Sequence, residues 1–200
     1  MYKFTRWVPQ DRSGKVCWLL NELEVPYEVS DLQHKVHHDD PEYRERHPLG
    51  QVPAIEELSS GKTMFESGAI CLYLADRHPD RGLLPSDNRA ACYQWILYNY
   101  ATLEPVFEAY WSIDARDPEI ASKKAEVDKK ILKLLLPVES ALAKTEFIAG
   151  DEFTVADIPL GQSLFWLRNR PVFADLPRTV AYFEKLKARE AAQKAGLFAD

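Results

Sequence analysis

Two stretches of this 200-residue chain combine residue types that could hold a ligand: His47-Pro-Leu-Gly-Gln-Val-Pro-Ala-Ile55 and Met64-Phe-Glu-Ser-Gly-Ala-Ile70. In the first, Pro53 has no N–H to give to a sheet, and the bond before a proline is the one peptide bond where the cis form costs little. A cis Val52-Pro53 bond would turn the N–H and C=O of Val52 outward, ready to pair with an extended peptide. A trans turn proline is the plainer alternative. In the second stretch, Glu66-Ser67 stands where a strand gives way to a helix. Ser67 has two readings: a simple N-cap or, together with the free N–H groups of a helix start, an anchor for a carboxylate, worth about 0.3–1 kcal/mol. Glu66 beside it could take an ammonium group. A ligand with an amino-acid head followed by an extended peptide chain suits this set.

Other chemistry-bearing residues are less committed. His34, His37 and His38 lack carboxylate or cysteine partners at a metal-ligand spacing, so a solvated loop is the simpler reading and no metal is expected. Cys17, Cys71 and Cys92 are odd in number and lack close pair spacing. Cys17 lies mid-helix next to Trp18, and all three thiols read as packing residues in a reduced, cytoplasmic protein. The opening MYKFTRWVPQDRSGK has neither an apolar core nor a small-residue cleavage site for secretion.

The elements that must position these residues fall into two textures. Tyr2 to Trp7 is β-leaning, helical spacing runs from Val16 to Leu23, and Tyr27 to Val29 reads as a second strand, so a β-α-β unit opens the chain. Asp31 to Arg46 reads as a loop with a short helix. Val52 to Glu57 and Thr63 to Phe65 flank a Ser-Ser-Gly turn as a hairpin, and Ser67 opens a strongly periodic helix. That order defines a thioredoxin-like α/β domain over residues 1–78. A linker punctuated by Pro79, Gly82 and Pro85 spans 79–88, and an all-helical domain follows over 89–200. Within it, Asn88 to Trp111 should kink at Pro105, Glu119 to Lys144 forms a long amphipathic helix, Thr154-Val-Ala-Asp157 starts another, and Arg178 to Lys194 is the last helical region.

Composition agrees with a folded protein. Lys and Arg number 25 against 31 Asp and Glu, a net charge of −6, and 46% of residues are hydrophobic. An acidic balance argues against a nucleic-acid binder, which needs a dense basic surface. No apolar run approaches the roughly 18–20 residues of a membrane span.

At this point a family resemblance enters. HPLGQVPAI and ESGAI are similar to the NPxGxVPAL and ESxAI strings of the glutathione transferase superfamily, and Phe153-Thr-Val-Ala-Asp157 resembles its Phe-x-x-Ala-Asp string in the helical domain. The resemblance covers essentially the whole chain and is of the bacterial cytosolic type. It implies that Val52 pairs its backbone with the cysteinyl part of glutathione. Glu66 and Ser67 would hold the γ-glutamyl end, while Gln51 and His38 would contact the tripeptide. It also implies a two-fold homodimer.

For the thiol end, Pro9-Gln-Asp-Arg-Ser-Gly-Lys-Val16 resembles a P-x-S-R-S-x-R-V string, with Arg12 and Ser13 matching and Asp11 in place of the first serine. Lowering a thiol pKa by about 2 units needs about 2.7 kcal/mol of selective thiolate stabilisation. A hydroxyl at a helix start can supply it, which makes Ser13 the candidate catalytic residue; a helix N-cap is its other reading. A carboxylate at position 11 would raise the thiol pKa, which Arg12 could offset; Gln10 and the indole N–H of Trp7 are substitute donors to the thiol. Tyr110 and Trp111 are candidates for lining the pocket of a largely apolar electrophile, although most aromatics at helical spacing are core. The expected activity is conjugation of the glutathione thiolate to that electrophile. A non-catalytic binding protein on the same fold, and a glutathione-dependent reductase or peroxidase, stand as alternatives; the latter would want a cysteine in the first loop, where there is none.

Overall fold

Alternating apolar residues make β1 (Tyr2–Arg6), in which Tyr2 and Phe4 are buried. The computed structural model describes residues 1–32, 40–111 and 120–199, with side chains described outside 108–122. After β1 comes α1 (Ser13–Glu22), buried continuously from Ser13 to Leu20 and therefore a core helix rather than an amphipathic surface one. It crosses over to β2 (Tyr27–Asp31), which runs parallel to β1 with Tyr2 opposite Tyr27.

The short α2 (Pro41–Arg44) starts with Asp40, whose side chain accepts the Glu42 N–H. Next, β3 (Ala54–Glu57) pairs antiparallel with β1 and with β4 (Lys62–Phe65), giving the sheet order β2-β1-β3-β4. The first strand of this hairpin begins two residues later than the sequence pattern suggested. Pro53 cannot donate to the ladder, so Val52 and Pro53 stay outside it. The helix α3 (Ser67–Arg77) then buries Ile70, Cys71, Leu74 and Ala75.

Residues 1–84 and 187–200 form one compact unit and residues 85–186 another. The end of the chain, read above with the helical half, thus packs with the first unit. Arg178 to Lys194, expected as one helical region, is two helices, α8 (Pro177–Lys187) and α9 (Glu190–Ala195), separated where Arg189 takes an extended conformation. That break lets the Arg189 guanidinium grip Glu22 of α1 through two bonds of 2.6 and 2.8 Å. Beyond α9, Phe198 covers the fully buried Trp18 edge-on at 5.4 Å.

In the second unit, α4 (Arg89–Tyr98) runs through a π turn at Asn99–Leu103 into α5 (Glu104–Trp111). The expected disturbance at Pro105 takes this form: proline removes one helical donor, and the widened turn just before it absorbs the mismatch. The amphipathic α6 (Ile120–Ala141) follows, then α7 (Asp157–Leu167) and α8. The start of α7 is built on Asp157, whose buried carboxylate accepts the N–H and hydroxyl of Thr154, the Ile148 N–H and the Tyr182 hydroxyl. Apart from a bridge between Phe147 and Gly150, the described residues of this unit hold no strand. Among the described residues no helix is long and apolar enough to cross a membrane.

Candidate functional site

The loop that enters β3 is fixed from below. Tyr43 of α2 is buried and donates its hydroxyl to the Gln51 carbonyl at 2.6 Å; burial pushes its phenol up to about 12, so it stays a donor. His47 is buried, stacks at a tilt on Phe65 with centroids 5.0 Å apart, and accepts the Leu49 N–H on Nδ1. Gly50, at φ 63°, closes the turn by donating its N–H to the His47 carbonyl at 2.8 Å. Tyr43, Val52 and Ala54 form a small apolar cluster with Trp7 and Leu32 against it. The Val52-Pro53 bond is cis, as the sequence argument required. Neither the N–H nor the C=O of Val52 bonds to another described residue.

The hairpin register brings the second string to the first. Ala54 opposes Phe65, so Val52 and Pro53 on one side and Glu66 and Ser67 on the other lie just past the same end of the hairpin. Glu66 is the residue before α3 and sits at φ 71°, a conformation few non-glycine residues adopt and one that clusters at functional sites. Its carboxylate is exposed and caps nothing. Ser67 is therefore not the N-cap that the simpler reading made it. It is the first residue of the helix, 3% exposed, where the N-terminal N–H groups are unsatisfied by the helix itself. Gln51 is exposed beside this corner.

At the other corner, α1 starts one residue after Arg12, so Ser13 is not its N-cap either. Ser13 is fully buried, and its hydroxyl donates to Asp11 Oδ1, which also accepts the Ser13 N–H at 2.6 Å. The other oxygen of Asp11 accepts the N–H groups of Trp7 and Val8, each at 2.9 Å. The hydroxyl singled out to support a thiolate is thus already spent on a carboxylate.

The remaining candidates separate cleanly. His38, with His34 and His37, lies outside the described residues. Tyr110 and Trp111 fall on the last turn of α5, and their side chains lie outside the described ones. All three cysteines are free and buried; burial raises each thiol, that of Cys71 to about 12, which suits packing rather than redox chemistry. Among the described residues no group of His, Cys, Asp and Glu is arranged to hold a metal. The sequence reasoning missed Tyr43 and His47 as supports of the Val52 loop. His47 stood inside the quoted motif, but nothing in the spacing tied Tyr43 to Gln51.

A mixed four-stranded sheet with a proline loop at the end of its hairpin and a helical unit after it defines a thioredoxin-like class of protein. Residues 2–76 match the glutathione S-transferase N-terminal domain and residues 101–190 the glutathione S-transferase C-terminal domain. Glutathione S-transferase GstB of Escherichia coli K12 is 28% identical over 188 residues, covering 90% of each chain. Glutathione S-transferase F11 of Arabidopsis thaliana is 31% identical over 170 residues, covering 80% of this chain and 78% of its own. The theta class glutathione S-transferase of Xanthomonas axonopodis pv. citri, solved with glutathione bound, is similar at a TM-score of 0.84 and 26% identity over 97% of this chain and 96% of that one. The chain belongs to the glutathione S-transferase family.

Proposed function

We propose that this protein binds glutathione across the Val52 and Ser67 corner and conjugates its sulfur to a small, largely apolar electrophile. Family membership supports the general activity, that of a glutathione transferase with glutathione as co-substrate. The observation that carries the finer reading is the Val52 main chain, whose N–H and C=O bond to no described residue, at the end of the hairpin where Ser67 opens α3. In this reading the cysteinyl main chain pairs with Val52 as one more antiparallel rung. The γ-glutamyl carboxylate rests on Ser67 and the N-terminus of α3, and Glu66 takes the ammonium. Gln51 and His38 contact the rest of the tripeptide, and Tyr110 and Trp111 line the electrophile's side. Ser13 stands at the thiol end of this reading, with its hydroxyl proton held by Asp11. Isothermal titration with glutathione tests the whole: binding in the millimolar range or tighter is expected, and no heat at millimolar ligand overturns the reading.

A two-fold dimer belongs to the same proposal. Tyr93 and Leu97, four residues apart on α4, are 40% and 62% exposed, and Phe65 at the end of β4 is 41% exposed. Large apolar side chains left in water in this way suit burial by a second copy.

A further inference from the structure

The Asp11 carboxylate gathers four donors: the N–H groups of Trp7 and Val8 on one oxygen, the N–H and hydroxyl of Ser13 on the other. A serine hydroxyl carries a single proton. Once that proton goes to a carboxylate, the oxygen has only lone pairs left to offer, and lone pairs favour a neutral S–H over a thiolate. The start of α1 is answered in the same way. Its first N–H is taken by Asp11 Oδ1, the Gly14 N–H by the Asp11 carbonyl at 3.0 Å, and the carboxylate charge offsets the positive end of the helix dipole. One residue thus takes the Ser13 hydroxyl proton and the first two N–H groups of α1. Among the described residues, the charge of that carboxylate reaches a neighbouring phenol. Tyr43 of α2 feels its charge but gives its own proton to the Gln51 carbonyl, and Arg12 adjoins it in the chain.

Resting on the reading of this chain as a glutathione transferase, we propose that Asp11 is a positioning residue that commits the Ser13 hydroxyl and the first N–H of α1 to the protein itself, so that glutathione binds as the thiol. The nucleophile then forms when the thiol passes its proton to hydroxide or buffer base in solvent. The sulfur lone pair makes the S–C bond, and on an activated chloronitrobenzene the C–Cl electron pair departs as chloride. The rate therefore follows the thiol's own ionisation and climbs with pH through the alkaline range.

The test measures the pKa of bound glutathione by thiolate absorbance, together with the pH profile of kcat/KM on a chloronitrobenzene. It is run on the natural protein, on Asp11→Asn and on the double variant Asp11→Asn/Ser13→Ala. Asp11→Asn removes the carboxylate charge, so the hold on the Ser13 hydroxyl weakens to that of a neutral amide and its proton is free to turn toward the sulfur. The natural protein should titrate near or above the free thiol value of about 8.5. Asp11→Asn should shift that value down by about one unit and raise kcat/KM near neutral pH about tenfold, and the double variant should lose the shift. Asp11→Ser, which is uncharged and smaller, repeats the measurement should the Asn variant unfold. Glutathione bound with an unshifted pKa in the single variants overturns the role of Asp11 alone, as does a double variant that keeps the full shift. Failure of every form to bind glutathione overturns the transferase reading and this role with it.

Discussion

In the proposed site, the neighbouring side chains of Glu66 and Ser67 would divide opposite tasks. Ser67 lies buried at the first turn of α3, where N–H groups suit a carboxylate, while Glu66 is held at φ 71° with its carboxylate in solvent, where it suits an ammonium. Hydrogen bonds to charged groups contribute about 1.5–3 kcal/mol, so Ser67→Ala or Glu66→Gln should each weaken glutathione binding at least about tenfold by titration calorimetry, without a matching loss of thermal stability. Unchanged affinity in both would place the amino-acid head elsewhere. The place of Ser67 at the start of α3 was legible in the sequence, because an acid and a serine there mark a strand-to-helix boundary. Ser13 was legible only as a hydroxyl near a helix start. That its proton belongs to Asp11 depends on how the loop from Trp7 to Arg12 folds back, and no spacing rule contains that information.

The elements follow the same division between local and distant causes. The β-α-β opening, the hairpin and the start of α3 at Ser67 are set by nearest neighbours, by proline, glycine and apolar periodicity, and they form in the order the pattern gave, with β3 entering two residues late because Pro53 cannot join the ladder. The break between α8 and α9 is not local: it accompanies the hold of Arg189 on Glu22, 167 residues away. Nor is the start of α8, where Glu139 of α6 accepts the Arg178 N–H at 3.1 Å and the Thr179 N–H and hydroxyl at 2.8 Å each. Burial acts to raise the Glu139 carboxyl, but these bonds from Thr179 and Arg178 outweigh it and hold it below its usual range. A depressed carboxyl stabilises the fold fully above its ordinary pKa, and the contribution is lost as pH falls through the folded value. Glu139→Gln should therefore lower stability by about 1 kcal/mol at neutral pH in urea unfolding, with the gap closing as pH falls below the carboxylate range. A constant gap at every pH would show that charge has no part in this cap.

For the whole molecule, the two-unit plan was readable from the change of texture near His78, while the return of residues 187–200 to the first unit was not, since short amphipathic helices look alike wherever they dock. That return has a physical reason in Trp18, which is fully buried and has Phe198 packed against it. Self-association is expected through the exposed apolar residues of α4, so sedimentation equilibrium should give a dimer that Leu97→Lys weakens. A monomer at micromolar concentration would remove the dimer from the account. The most direct test of the central claim is a crystal structure with glutathione bound. The expected result has the cysteinyl N–H and C=O paired with the main chain of Val52 and the γ-glutamyl carboxylate within hydrogen-bond distance of Ser67. Glutathione ordered elsewhere on the chain, with Val52 left facing water, would contradict it.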